Sequence, residues 1–452
     1  MSQHKKTLGV VDMTLFTVSA ILFLDTLASS ATMGAAAITF WLVFSVIFFL
    51  PFGLLTSEMG TTYPEQGGIY AWVRDAFGKR WGTRASWLYW VNLPIWSASV
   101  FVMFTAILSQ LFWTDLGLGG QIALAILFNW LVVALTIMPL KFGKWIPNAG
   151  ALVKMVAFGA LIVAGVIHAL DPSTPLANDF SAKAWIPEWG SGVQFVAIVI
   201  WGMVGFELMS AASEEMDNPV RDIPRATLFS GLIIIAGNVL GIFAVLAVIP
   251  AEEVNMVEGL VDTFLALFGE SSLGRSLAVL MAVFFLFSLI SNAVTWSLGA
   301  NRAIAEAAHD GEMPKFFGYE HPEHGTPVGA GVCVGVIVTL LLGFYGLVAE
   351  SNEDLFWLLF AAQGVIFMTP YLGAVLAFMR ARLKDGDRPR PFRVPGGQAV
   401  AWLVTVLCFS FICMSVLLFM YVPGEGFDWP VVIGSAIAFG LGEVALRSSE
   451  KT

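Results

Sequence analysis

The hydropathy pattern repeats one unit: an apolar run of spanning length, then a short polar break. Twelve runs are legible, near residues 9–33, 36–58, 84–112, 119–140, 146–169, 192–213, 226–249, 275–304, 328–348, 354–379, 398–421 and 429–446. Each is close to the roughly 20 apolar residues a helix needs to cross a bilayer core. The pattern predicts an all-α membrane protein with 12 transmembrane helices, its single domain covering residues 1–452.

Two runs are interrupted at their centres. The first carries Asp25-Thr26-Leu27-Ala28-Ser29-Ser30, and the sixth carries Trp201-Gly202-Met203-Val204-Gly205-Phe206-Glu207. A carboxylate at mid-membrane depth is expensive unless it is neutralised, paired or turned to a cavity. Paired glycines weaken a helix, and irregular backbone at that depth is tolerated only where it lines a cavity or is buried in protein. The interruptions lie five runs apart. Five is odd, so two five-span repeats would point in opposite directions and bring both breaks to one midplane site. The expected organisation is a 5+5 inverted repeat, about 9–169 and 192–379, with broken helices 1 and 6 and two additional helices over 398–446.

Four connections stand out. Residues 60–83 carry an amphipathic patch, Ile69, Tyr70, Trp72, Val73 and Phe77, which is expected at the lipid headgroup layer. Residues 214–225 are polar and punctuated by prolines, a helix stop and restart. Residues 308–327 form a third polar loop, and residues 384–397 an extended, basic, proline-rich one.

Composition agrees with the hydropathy pattern. Apolar residues make up 58% of the chain and charged residues only 12%, against roughly 25% charged in soluble domains; mean hydropathy is +0.80. With the N-terminus in the cytoplasm, 20 of the 23 Lys and Arg fall inside, Lys183 and Arg275 fall outside, and Lys154 lies within a span. That asymmetry supports both the span count and a cytoplasmic C-terminus. The net charge of −10 comes largely from outer loops, among them Glu252, Glu253, Glu258 and Asp262. Basic tracts for nucleic acid are missing. Cys333, Cys408 and Cys413 all lie in apolar runs, with neither a disulfide framework nor a zinc pattern. Nucleophile elbow, phosphate loop, dinucleotide fingerprint and metal-spaced histidines are also missing, so neither catalysis, cofactor nor metal is expected.

The candidate chemistry lies at the breaks. Asp25 reads as a ligand for an amine or a coupling group, or alternatively as a cap for the second half of a broken helix. Glu207 reads as an amine ligand or proton carrier, or as a partner for unwound backbone. Lys154 either snorkels to the inner interface or places its ammonium where a coupling cation would sit. Trp201 lies at a break, and Trp296 lies in a polar stretch with Ser291, Asn292 and Thr295. Gln363 is a lone amide in a span, which a neighbouring helix could satisfy. The candidate binding set is Asp25, Thr26, Trp201, Gly202, Gly205, Phe206, Glu207, Trp296 and Gln363, with Lys154 and Glu207 in coupling.

These residues resemble the amino acid–polyamine–organocation transporters along essentially the first ten runs. The motifs are Gly205-x-Glu207 followed by Glu215-x-x-Asn218-Pro219, Pro64-x-x-Gly67-Gly68-x-Tyr70, and Asp310-Gly311-x-x-Pro314 with Gly325-Thr326-Pro327. The loop after the second run is most similar to bacterial glutamate–GABA antiporters; Asp25 with Glu207 is similar to polyamine-uptake members. The resemblance implies a LeuT-type fold and alternating access. It further implies an aromatic over the substrate at Trp201, a proton-sensing acid at Glu207, an aromatic across the pocket at Trp296, and a sodium substitute at Lys154. Many relatives hold a substrate carboxylate on Gly-Ser-Gly amides in the first span. This chain reads Ser19-Ala20-Ile21-Leu22-Phe23-Leu24-Asp25 there. An anion in that place favours an ammonium over a carboxylate.

The expectation is therefore an inner-membrane, sodium-independent secondary transporter of an amine-bearing metabolite, working by exchange or with protons. The alternative is an α-amino acid exchanger; a channel or sensor is more remote. Its partners are the substrate, protons and the lipid bilayer, and it acts as a monomer or homodimer.

Overall fold

The computed structural model describes residues 9–63, 68–138, 145–187, 193–207, 216, 218–269 and 271–449. Parts of the motifs above, Pro64 to Gly67 and Glu215, lie outside the described residues, as do Lys5, Lys6, Lys141, Lys144 and Lys451.

Among the described residues, sixteen α-helices follow the apolar runs closely. The first half comprises α1 (Val10–Ile21), α2 (Leu27–Ala31), α3 (Ala36–Phe44), α4 (Leu50–Thr62), α5 (Ile69–Phe77), α6 (Lys79–Phe112), α7 (Leu118–Ile137) and α8 (Trp145–Leu170). The second comprises α9 (Val196–Trp201), α10 (Pro219–Val248), α11 (Gly259–Phe268), α12 (Ser272–His309), α13 (Val328–Tyr345), α14 (Asn352–Lys384), α15 (Gly397–Met420) and α16 (Trp429–Ser449). A two-residue hairpin pair, Tyr421–Val422 with Gly426–Phe427, joins the last two. A π-turn over Ser45–Phe49 merges α3 and α4 into one apolar rod. Among the described residues, nine helices are long and apolar enough to cross a membrane, counting that rod as one. The protein is a multi-pass membrane protein.

Local chemistry explains the restarts. Pro219 opens α10 behind Asn218, whose side chain accepts from the Arg221 amide at 3.2 Å; proline suits the first helical position because its missing N–H would be unpaired there anyway. Ser271 caps α12 and Ser351 caps α14 by the same kind of bond.

Helices α6 and α14 form the centre, packed along each other, while α15 and α16 lie at the edge. The most apolar stretch of α6 is 94% buried within the protein and that of α16 only 28%. The remaining apolar face of α16 is what lipid would cover. The amphipathic helix α5 departs from expectation. Ile69, Trp72 and Val73 are buried against α6 and α14 rather than facing headgroups. An amphipathic period marks an apolar face without saying what covers it.

A buried charge cluster ties α4 to α14 near their polar ends. Glu58 accepts from Arg382 at 2.8 and 2.5 Å, from Arg390 at 3.3 Å, and from the Val394 amide at 2.7 Å. All three charged side chains are at most 5% exposed.

Candidate functional site

Both expected breaks are present, and they touch. Helix α1 stops at Ile21 and α2 starts at Leu27; α9 stops at Trp201, and the backbone runs irregularly to Glu207. Gly205 adopts φ +110°, a region that favours glycine, and a Cβ there would meet the Ile21 side chain at 3.1 Å. Across the same contact the Phe23 and Trp201 rings lie 4.9 Å apart.

Unwinding α1 leaves its last carbonyls without helical partners. Lys154 on α8 takes one of them. Its Nζ donates to the Ser19 carbonyl at 2.8 Å and to Asn292 Oδ1 on α12 at 2.9 Å, and it lies 5.9 Å from the Phe23 ring centroid. Lys154 is 1% exposed, so it does not snorkel. An ammonium at a helix C-terminus opposes the partial negative charge of the free carbonyls.

Asp25 makes no cap. The residue before α2 is Thr26, no side chain caps that helix, and both Asp25 carboxylate oxygens are buried and accept no hydrogen bond among the described residues. The cap reading fails because the chain enters α2 through Thr26 in a helical conformation. Thr26 itself donates to the Phe23 carbonyl at 3.5 Å, which braces the break.

Glu207 is held on one side only. Its Oε1 accepts from Tyr371 at 2.7 Å and from Tyr89 at 3.5 Å, while its Oε2 is buried and accepts no hydrogen bond among the described residues. Below it, Gly68 has φ +49°, and a Cβ there would lie 3.8–3.9 Å from Glu207 atoms.

Between these elements lies a cavity walled by six aromatic side chains in a closed circuit. Centroid distances run Phe23–Trp96 6.2 Å, Trp96–Trp296 6.4 Å, Trp296–Tyr89 6.4 Å, Tyr89–Phe367 5.9 Å, Phe367–Trp201 6.0 Å and Trp201–Phe23 4.9 Å. Its volume is about 20 Å³, little more than one water requires, so the walls are drawn together. Rings at these distances attract through offset and edge contacts, and their faces attract cations.

Of the residues expected at the site, Trp201, Gly205 and Trp296 line this cavity. Asp25 and Glu207 do not line it, and Glu207 meets its wall through Tyr89. Gly202 packs under the Trp41 ring, Phe206 packs on Phe49 at 4.9 Å, and Thr26 is spent on backbone. Gln363 is buried, its amide nitrogen has no hydrogen-bond partner among the described residues, and it does not line the cavity. Sequence reasoning passed over Phe23, Tyr89, Asn92, Trp96, Phe367 and Tyr371. Asn92 two residues before Pro94, inside a span, was the one available signal.

Known proteins are similar to this chain along most of its length. Residues 8–441 match the amino acid permease family. The chain is 32% identical to a probable agmatine/putrescine antiporter of Lactococcus lactis, over 99% of this chain and 96% of that protein. It is 25% identical to a glutamate/gamma-aminobutyrate antiporter of the same species, over 93% and 84%. It is 26% identical to a polyamine transporter of Oryza sativa, over 93% and 75%. With broken helices meeting at a buried aromatic cavity and a match along nearly its whole length, this chain belongs to the amino acid permease family.

Proposed function

We propose that this protein exchanges small dicationic amines, of the agmatine and putrescine type, across the cytoplasmic membrane by alternating access. One observation carries the reading: an aromatic box whose wall includes Phe23, two residues before the buried Asp25, and Tyr89, which donates to the buried Glu207; among the described residues both Asp25 oxygens and one Glu207 oxygen accept no hydrogen bond. Buried carboxylate oxygens without hydrogen bonds are costly, and Lys154 acts on Asp25 through its charge while spending its hydrogen bonds on Ser19 and Asn292. A ligand with an ammonium at each end would offset both, and aromatic faces would attract either end on its way in. The same acids repel a carboxylate, which counts against the glutamate-type alternative.

Lys154 supports sodium-independent operation, because its ammonium itself bridges α1, α8 and α12. Glu207 is the candidate proton carrier. The proposed frame is a twelve-span, LeuT-type fold with repeats over 9–169 and 192–379, additional helices over 398–446, and both termini cytoplasmic. The transport role leaves no part for a catalytic step.

Counterflow tests the reading. Proteoliposomes loaded with unlabelled putrescine should accumulate labelled putrescine or agmatine, and sodium should not be required. Accumulation of glutamate with no diamine uptake would overturn it.

A further inference from the structure

Arg380 is a cation with no part in the central cavity. It lies near the end of α14, one residue past the apolar run 354–379. Its guanidinium carbon sits 5.0 Å from the ring centroid of Phe77, the last residue of α5. Its Nε is buried and donates no hydrogen bond among the described residues. The nearby acids on α5, on α16 and just past α14 are engaged elsewhere: Asp75 by Arg74, Glu443 by Arg84, and Asp385 by the Tyr63 hydroxyl. Leu376 stands one turn before Arg380 and Leu383 three residues after it, so the three share one face of the helix. Both leucines are exposed, at 44% and 64%, whereas Ala377, Phe378 and Met379 between them are buried. Lipid tails, as apolar as leucine itself, are what cover an exposed leucine in a spanning helix. Arg380 thus lies on a lipid-facing stripe, with an apolar turn on one side and the exposed Lys384 a turn beyond on the other.

We propose that Arg380 is the docking site for the phosphate of an anionic phospholipid, in the leaflet on the α5 side of the protein. A guanidinium is a planar fork: its face stacks on an aromatic ring, and its edge matches phosphate oxygens two at a time. Phe77 takes the face, which leaves the edge for the phosphate. An acyl chain then lies along Leu376. Lys384 adds a second positive charge within one turn, and each basic group at the surface favours anionic lipid by about 1 kcal/mol. The bound lipid joins α14 to α5, the helix whose capping residue Gly68 lies against Glu207. Amphipathic α5 therefore meets the headgroup layer at Phe77, its half-buried end, and not along the buried face of Ile69, Trp72 and Val73. A long basic side chain that merely snorkels to the interface has no fixed partner and no preference among head groups; a built phosphate site has one.

The experiment follows the thermal midpoint of the purified full-length protein in detergent as phosphatidylglycerol, phosphatidylcholine or inorganic phosphate is added at equal ionic strength. A ligand of the folded state raises that midpoint by mass action. Wild type should respond to phosphatidylglycerol at lipid fractions about tenfold lower than to phosphatidylcholine, and should not respond to inorganic phosphate. Arg380→Gln should need about tenfold more phosphatidylglycerol, the size of a lost hydrogen bond to a charged group. Arg393→Gln replaces an exposed arginine of the 384–397 loop and should respond as wild type does. Where Arg380→Gln is too unstable to purify, Arg380→Lys gives the reading instead: it keeps the charge, loses the fork, and should need about threefold more lipid. Equal wild-type responses to the two lipids would leave a snorkelling arginine only and overturn the proposal. So would an unchanged response in the Arg380 variants, an equal loss in Arg393→Gln, or a shift reproduced by inorganic phosphate. The measurement involves no transported substrate, so its outcome is independent of the amine-exchange reading.

Discussion

Tyr371 donates its phenolic hydrogen to Glu207 Oε1 at 2.7 Å, fixing one oxygen of a buried acid while Oε2 accepts no hydrogen bond among the described residues. The acid is thus oriented, with one oxygen left to take a proton or meet a substrate ammonium. Glu207→Gln holds the group in its neutral form. Transport by this variant should lose its pH dependence while exchange persists. A pH profile that overlays wild type would mean the proton is carried elsewhere, and Asp25 would be the next group to replace.

Asp25 should select for charge. Truncating one member of a buried charge pair typically costs roughly 2–5 kcal/mol, so Asp25→Asn should weaken a diamine about thirtyfold or more. A neutral analogue of the same shape should bind the two proteins almost equally. Titration calorimetry with both ligands decides it; unchanged diamine affinity would remove Asp25 from the site.

Lys154 replaces a mobile cation only if transport ignores sodium. Wild-type uptake should be the same in sodium, potassium or choline buffer, and Lys154→Ala should impair uptake while leaving membrane expression intact. A sodium requirement in wild-type proteoliposomes defeats the idea.

The Glu58 cluster places two guanidinium groups on one carboxylate in a nearly dry setting. Removing the shared partner leaves both without a counter-charge. Breaking a buried pair in this way costs on the order of 3–5 kcal/mol, so Glu58→Gln should markedly lower the thermal midpoint of the purified protein. A midpoint within a degree or so of wild type would show that the arginines find other partners.

Much of this arrangement was legible in the chain. Apolar runs fix helices because a bilayer imposes one length. Glycines beside an acid marked both the break at Gly205 and the buried carboxylate at Glu207. The aromatic circuit was not legible. Aromatics make up 13% of the residues, so Trp96 or Phe367 carries no local mark that separates a cavity wall from ordinary packing. Tyr89 and Tyr371 sit on different helices, 282 positions apart by their numbers, and only the packing of α6 along α14 brings them to one oxygen. The apolar face of α5 was legible as a face, but its partner was not, because lipid and protein interiors ask for the same side chains.

The drawn-in cavity has a thermodynamic consequence. A site that must part its walls before it can be filled binds with an apparent affinity reduced by the fraction of time it stands open. Phe360 lies outside the cavity lining and packs edge-on to Trp201 at 5.1 Å. Phe360→Ala should therefore tighten equilibrium diamine binding although it removes atoms and adds no contact; weaker binding would mean that Trp201 needs that support to meet the ligand. Affinity in this protein is then set as much by how firmly the empty rings hold one another as by how well they hold an amine.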